Sequence, residues 1–154
     1  MEFFHPLPIH RRFERVSYAD DGIIPTRADE GSAGYDFYSP ETVTIKPKQM
    51  VKIKTNVKCK MGDREVLMLY VRSSIGIKKN LMLANGTGVI DSTYYNNPDN
   101  EGNIIIALYN YGDEPQTIEI GDRIAQGVIV WFFTVENDVV LSDKRTGGIG
   151  SSGV

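Results

Sequence analysis

Three groups of residues in this chain have the types and spacing to act on a phosphate ester. Arg72, Ser73 and Ser74 follow an apolar run. An arginine offers a planar fork of donors to phosphate oxygens, and serine hydroxyls donate at short range. Asp91 follows Gly88-Val89-Ile90 and precedes Ser92-Thr93-Tyr94. A carboxylate there could take a proton from water, although by itself it equally suits a turn. Arg145 opens a tail in which Gly147, Gly148, Gly150 and Gly153 alternate with small residues. Such a segment could wrap a polyphosphate with backbone N–H groups, or simply be a mobile end. It lacks the Gly-Lys-Ser/Thr ending of a Walker loop. Likewise, Arg72 to Ser74 alone could be no more than a charged strand end with a polar turn.

The elements that must position these groups read as strands. Thr42–Ile45 and Val51–Lys58 alternate apolar and polar residues, the period of a half-buried strand. Glu65–Val71 and Asn103–Tyr109 are mostly apolar and suit strands buried on both faces. Thr117–Ile120 and Gly127–Phe132 add two more. β-Branched and aromatic residues dominate all of them. Turn signals such as Gly62-Asp63, Asn85-Gly86, Asn97-Pro98-Asp99 and Gly121-Asp122 separate the runs. This spacing predicts an all-β sandwich or barrel. The one helical candidate is a short turn between Ser73 and Asn80, weakened by Gly76.

Composition narrows the class. The chain has 154 residues, enough for one domain with a core of its own. Seventeen basic residues face twenty acidic ones, for a formal net charge of -3. That balance argues against a protein that coats nucleic acid, yet a nucleotide pocket needs only a few well-placed cations. The single cysteine, Cys59, excludes an internal disulfide and reads as a half-buried bystander. No apolar run reaches the roughly 20 residues of a membrane span, and the N-terminus lacks the pattern of a signal peptide. A soluble cytoplasmic protein is expected. His5 and His10 have no metal-ligand partners near them in sequence. Residues 1–12 read as an extension, 13–143 as the domain, and 144–154 as a flexible arm.

Five segments, taken in order, resemble the motifs of the trimeric dUTP pyrophosphatase (dUTPase) family. They are Ser32–Ser39, Arg72–Gly76, Asn85–Tyr94, Gly121–Gln126 and Arg145–Gly153. The resemblance runs from about Ile24 to the C-terminus. It implies a distorted jelly-roll β-barrel with at most one short helix and a glycine-rich C-terminal arm. It also implies hydrolysis of dUTP to dUMP and pyrophosphate, which supplies dUMP and limits uracil incorporation into DNA.

Residue roles are carried over by position. Asp91 matches the catalytic aspartate that activates water for in-line attack on the α-phosphorus. Tyr94 matches the aromatic residue that stacks on deoxyribose and leaves no room for a 2′-hydroxyl. Asn85, with the strand through Gly88, Val89 and Ile90, matches the hairpin that reads uracil. Arg72, Ser73, Ser74 and Gly76 match the phosphate-contacting second motif, and Gln126 matches a contact to the α-phosphate. Arg145, Gly148, Ile149, Gly150 and Ser151 match the arm that closes over the substrate. Asp36 belongs to the first motif, which supports the phosphate and metal region. The resemblance implies Mg²⁺ held mainly by triphosphate and water, with no dedicated protein ligands. It further implies a homotrimer whose sites lie between subunits, the arm crossing to a neighbour.

The chain departs from the family pattern in places. Val71 stands where proline is usual, and Ile149 where an aromatic residue commonly stacks on uracil. Lys144 occupies the usual arginine spacing, one residue before Arg145. Tyr95–Asn103 lengthens the loop after Tyr94 and reads as a polar surface insert. Two other readings are a deaminase of dCTP, which shares the fold, and a regulatory protein that binds a repressor through that loop. The aspartate at position 91, where the deaminases use glutamate, disfavours the first.

Overall fold

The computed structural model describes residues 10–142, 145 and 147–149. Eleven strands make up nearly all of its regular structure. They are β1 (Arg12–Arg15), β2 (Tyr35–Tyr38), β3 (Val43–Ile45), β4 (Met50–Lys54), β5 (Val57–Lys60) and β6 (Glu65–Val71). After a single helical turn α1 (Ser73–Gly76) come β7 (Leu81–Leu83), β8 (Gly88–Asp91) and a 3₁₀ turn, Ser92–Tyr94. β9 (Ile105–Asn110), β10 (Gln116–Ile118) and β11 (Arg123–Trp131) complete the order.

The expected all-β class is therefore what the chain adopts. Its ladders form four separate sheets, ordered β2-β11-β6-β8, β4-β9-β7, β1-β5 and β10-β3, rather than one ring of strands. Every named strand pairing is antiparallel. Phe37, Ile45, Ile53, Leu67, Leu81, Ile106, Leu108, Ile118 and Ile124 interlock between the sheets as one core.

Two strand expectations change. The run Val51–Lys58 is two strands, β4 and β5, with different partners. Asn56 breaks it, with a φ of 58° that asparagine tolerates better than most residues. The Asn103 side chain accepts the Asn56 amide at 3.0 Å and fixes the break. The second change is in β9, which alternates instead of being buried on both faces. Ile106, Leu108 and Asn110 enter the core, while Ile105, Ala107 and Tyr109 remain half-buried. That outer face becomes a wall of the site described below.

β1 begins at Arg12, at the end of the segment read as an extension, and Arg11 already pairs with the buried Glu65. Among the described residues no helix is long and apolar enough to cross a membrane.

Candidate active site

The β2-β11-β6-β8 sheet carries most of the chemistry. β11 lies between β2 and β6, so Gln126 has Asp36 as its cross-strand partner on one side and Tyr70 on the other. Arg72 follows β6 directly. Its Nε lies 3.0 Å from Asp36 Oδ1, and Arg123 Nη1 lies 3.5 Å from Oδ2. The Asp36 side chain is only 8% exposed, so it holds two cations from inside the sheet edge. Together Ser32, Gly34, Asp36, Arg72, Ser73 and Gln126 line a groove of about 330 Å³. Here the first, second and fourth sequence segments meet. The Ser73 side chain stands exposed at the start of α1, where Gly76 N and Ile77 N are already bonded back to Arg72 O and Ser73 O.

Asp91 sits elsewhere. It ends β8 opposite Val66 of β6, so it is the last residue of a strand rather than an ordinary turn former. Arg72 lies six residues further along the same chain direction than Val66. At about 3.3 Å per strand residue, the two sites lie at opposite ends of β6, roughly 20 Å apart. Asp91 lines a second, larger cleft of about 630 Å³. Its other walls are Asn85, Gly88, Val89, Ile90 and Tyr94, with Arg145 and Ile149 from the arm.

Main-chain geometry prepares this cleft. The Asn85 turn joins β7 to β8, but these strands do not pair with each other: β7 pairs with β9 and β8 with β6. The expected hairpin is thus a sheet-switching turn. β8 is left as an edge strand, whose outward main-chain donors and acceptors are available to a ligand. Gly88 lets the edge sit close to β6, because a Cβ there would stand 2.8 Å from the Leu69 Cβ.

Tyr94 is buried, its phenol donating to Asn103 O at 2.7 Å and accepting from Asn100 Nδ2 at 2.9 Å. Burial raises the phenol's pKa, so it stays neutral. Arg145 lies over this ring, 5.1 Å from its centroid, and its Nη1 donates to Asp91 Oδ2 at 3.2 Å. In this chain the described part of the arm therefore lies against Asp91 and Tyr94 of the same chain. Ile149 is 63% exposed at the cleft mouth. Lys144, Gly150 and Ser151 lie outside the described residues.

Several contributing residues went unassigned in the sequence. Met50, Lys52, Ile105 and Ala107 form the far wall of the Asp91 cleft. Lys52 alternates outward on β4, and only the β4-β9 register turns that face toward β8. Arg123 was visible in the fourth segment, but its ion pair with Asp36 was not.

The loop after Tyr94 also differs from expectation. It is not a plain surface insert: Asn97 and Asn103 are buried. Asn97 Nδ2 donates to Tyr94 O at 2.8 Å, while its Oδ1 accepts the Asp99 and Asn100 amides at 3.0 and 3.1 Å. The density of asparagine was the available signal, since such side chains bond nearby backbone. Cys59 is buried, which pushes its thiol up to about 12 and makes it a poor nucleophile.

No group of three or more His, Cys, Asp or Glu side chains among the described residues could hold a metal ion. Asp36, the carboxylate that lines the groove beside Ser73, is engaged by two arginines.

Known proteins resemble this chain along most of its length. A family model described as dUTPase matches residues 20–153. A deoxyuridine 5'-triphosphate nucleotidohydrolase of Lactococcus lactis is 47% identical over 146 residues, covering 93% of this chain and 97% of the relative. One of the same name from Actinobacillus pleuropneumoniae is 36% identical over 137 residues, covering 84% of this chain and 87% of its own. Among solved structures, the dUTPase from Streptococcus mutans superimposes with a TM-score of 0.77 at 39% identity, covering 82% of this chain and 99% of its own. The dUTPase from phage phi11 of S. aureus, described with a species-specific insert, gives 0.73 at 26% identity, covering 86% and 97%. A mutant of that phage enzyme is described with a structural Mg(II) ion. With the family model spanning most of its length and close relatives matched nearly end to end, the chain belongs to the dUTPase family.

Proposed function

We propose that the protein hydrolyses dUTP to dUMP and pyrophosphate. The observation that carries this reading is the cleft in which Asp91, Tyr94 and Arg145 meet beside the open edge of β8. Asp91 accepts a proton from a water molecule, whose oxygen forms a bond to the α-phosphorus. The bond from that phosphorus to the α–β bridging oxygen breaks, and pyrophosphate leaves with its electron pair. Uracil pairs with the main-chain edge of β8 near Asn85. The sugar packs on Tyr94, which leaves no space for a 2′-hydroxyl.

Charge dictates the rest. A triphosphate brings about four negative charges, which must be offset before water can attack. No cluster of described side chains would hold a metal, so Mg²⁺ brought in on the triphosphate would supply part of that offset. Arg72, held by Asp36, and Ser73 and Gln126 beside it, supply donors to the phosphates. Arg145 shifts from Asp91 onto the substrate's phosphates, freeing the carboxylate for the proton it must accept.

The separation of Asp91 from Arg72 along β6 favours sites assembled between subunits. One chain supplies the Asp91 cleft and another the Arg72 groove, as in a homotrimer. The deciding experiment is pyrophosphate release against dUTP, dCTP, dTTP and UTP with Mg²⁺. Selective turnover of dUTP is expected. Ammonia release from dCTP would instead assign a deaminase.

A further inference from the structure

We propose that Asn100 is the positioning residue for Tyr94, and that it thereby sets how strictly the site rejects a 2′-hydroxyl. This rests on the dUTP reading above, and it makes a side chain of the loop after Tyr94 a determinant of sugar selectivity.

The Tyr94 hydroxyl is held from two sides. It donates to Asn103 O at 2.7 Å and accepts from Asn100 Nδ2 at 2.9 Å. The same residue lines the Asp91 cleft. One hydrogen bond would leave the ring free to pivot about that contact. A second, from another direction, fixes the end of the ring in place.

Both partners are themselves held. Asn103 is buried, and its Nδ2 donates to Asn56 Oδ1 at 2.8 Å and to the Tyr18 hydroxyl at 3.0 Å. Asn100 Oδ1 accepts Asn97 Nδ2 at 2.7 Å and the Gly102 amide at 3.0 Å, and the Asn100 amide donates to Asn97 Oδ1 at 3.1 Å. With Oδ1 taken by two donors, Nδ2 is the end of the amide that faces the phenol.

The loop grips the main chain of Tyr94 as well. Asn97 Nδ2 donates to Tyr94 O at 2.8 Å. Gly102 has a φ of 90°, and a Cβ there would stand 2.8 Å from Tyr94 O, so the returning loop packs directly on the tyrosine backbone. Tyr94 is thus fixed at its carbonyl and at its hydroxyl by the segment that follows it.

Selectivity depends on that placement. A side chain that excludes a single oxygen atom must be held to within about 0.5 Å. Loosening the ring makes room for a ribose, while deoxyribose has nothing there to admit. A simple loss of stability would lower turnover of both nucleotides alike and leave their ratio unchanged.

The test is the ratio of kcat/KM for dUTP to that for UTP, measured on the full chain with Mg²⁺. Asn100→Asp keeps the oxygen that bonds Asn97 and Gly102 but puts a second acceptor in place of Nδ2. The phenol has one proton and cannot satisfy both that acceptor and Asn103 O. The ratio should fall about three- to tenfold, the equivalent of one lost hydrogen bond, chiefly because UTP turnover rises. Asn100→Ser, which adds no charge, should show the same fall and takes over the test if the Asp variant does not fold. Tyr94→Phe should also lower the ratio, and adding Asn100→Asp to it should lower it no further. An unchanged ratio in a folded Asn100 variant would overturn the proposal, as would a further fall in the double variant. A parent that turns over neither nucleotide would overturn the proposed function and this inference with it. A parent selective for dUTP whose Asn100 variants keep the ratio would overturn the inference alone.

Discussion

Arg145 Nη1 stands 3.2 Å from Asp91 Oδ2 while the same guanidinium covers the ring of Tyr94. A cation from the end of the chain is thus paired with the carboxylate proposed as the base. The Arg145 side chain is 10% exposed and that of Asp91 52%, so the arginine is the more committed partner. An anionic ligand entering the cleft competes with Asp91 for that cation.

The role of Asp91 can be separated from binding. Asp91→Asn keeps the shape of the side chain and removes its basicity. Turnover of dUTP should fall by about 10²–10⁴-fold. Affinity for a non-hydrolysable dUTP analogue, measured by calorimetry, should change by no more than about threefold. Near-normal turnover would take the base role from Asp91.

Removing the arm should spare the fold. Deletion of Lys144–Val154 leaves every strand and the core intact. The truncated protein should keep its oligomeric mass in light scattering and lose about 10²-fold in kcat/KM, the usual cost of lost positioning. Full activity without the arm would refute its closing function.

Shared sites predict complementation. Arg72→Ala and Asp91→Asn chains should each be inactive alone. Mixed by co-expression, they should recover measurable pyrophosphate release, since some sites combine an intact groove with an intact cleft. If mixing gives only the sum of the two residual activities, each site lies within one chain.

Tyr94 also has a structural task. Tyr94→Phe removes the donor to Asn103 O and the acceptor for Asn100 Nδ2. The loss should be about 1–2 kcal/mol. For a chain of this length that lowers Tm by roughly 2–8 °C in a thermal melt. An unchanged Tm would show that the loop repacks around the phenyl ring.

Acid should loosen the loop through Glu101. The Ser17 hydroxyl and amide, with Lys58 at 3.1 Å, hold its carboxyl below the ordinary value of 4.5. A carboxylate with a lowered folded pKa contributes stability fully above its unfolded value, and that contribution is lost as pH falls through the folded one. Tm should therefore drop below about pH 4.5. The drop should be shallower in Glu101→Gln. Identical Tm–pH slopes in the two proteins would exclude this linkage.

Local pattern was enough to determine the β class and the limits of β6. Period-two alternation and turn residues are short-range signals, and Glu65–Val71 carries its strand signal within itself. The ordered segments also brought Asp91, Tyr94, Arg72 and Gln126 forward as a set. Tertiary structure decided how that set is divided. Antiparallel register places Asp36 beside Gln126 and Asp91 opposite Val66, and register depends on partners distant in sequence. It split Val51–Lys58 at Asn56 because Asn103, far along the chain, bonds the break. It also turned a polar insert into a hydrogen-bonded loop anchored on Tyr94. Asparagine and aspartate side chains can face water or bond backbone, and only the position of Tyr94 and Gly148 shows which they do here.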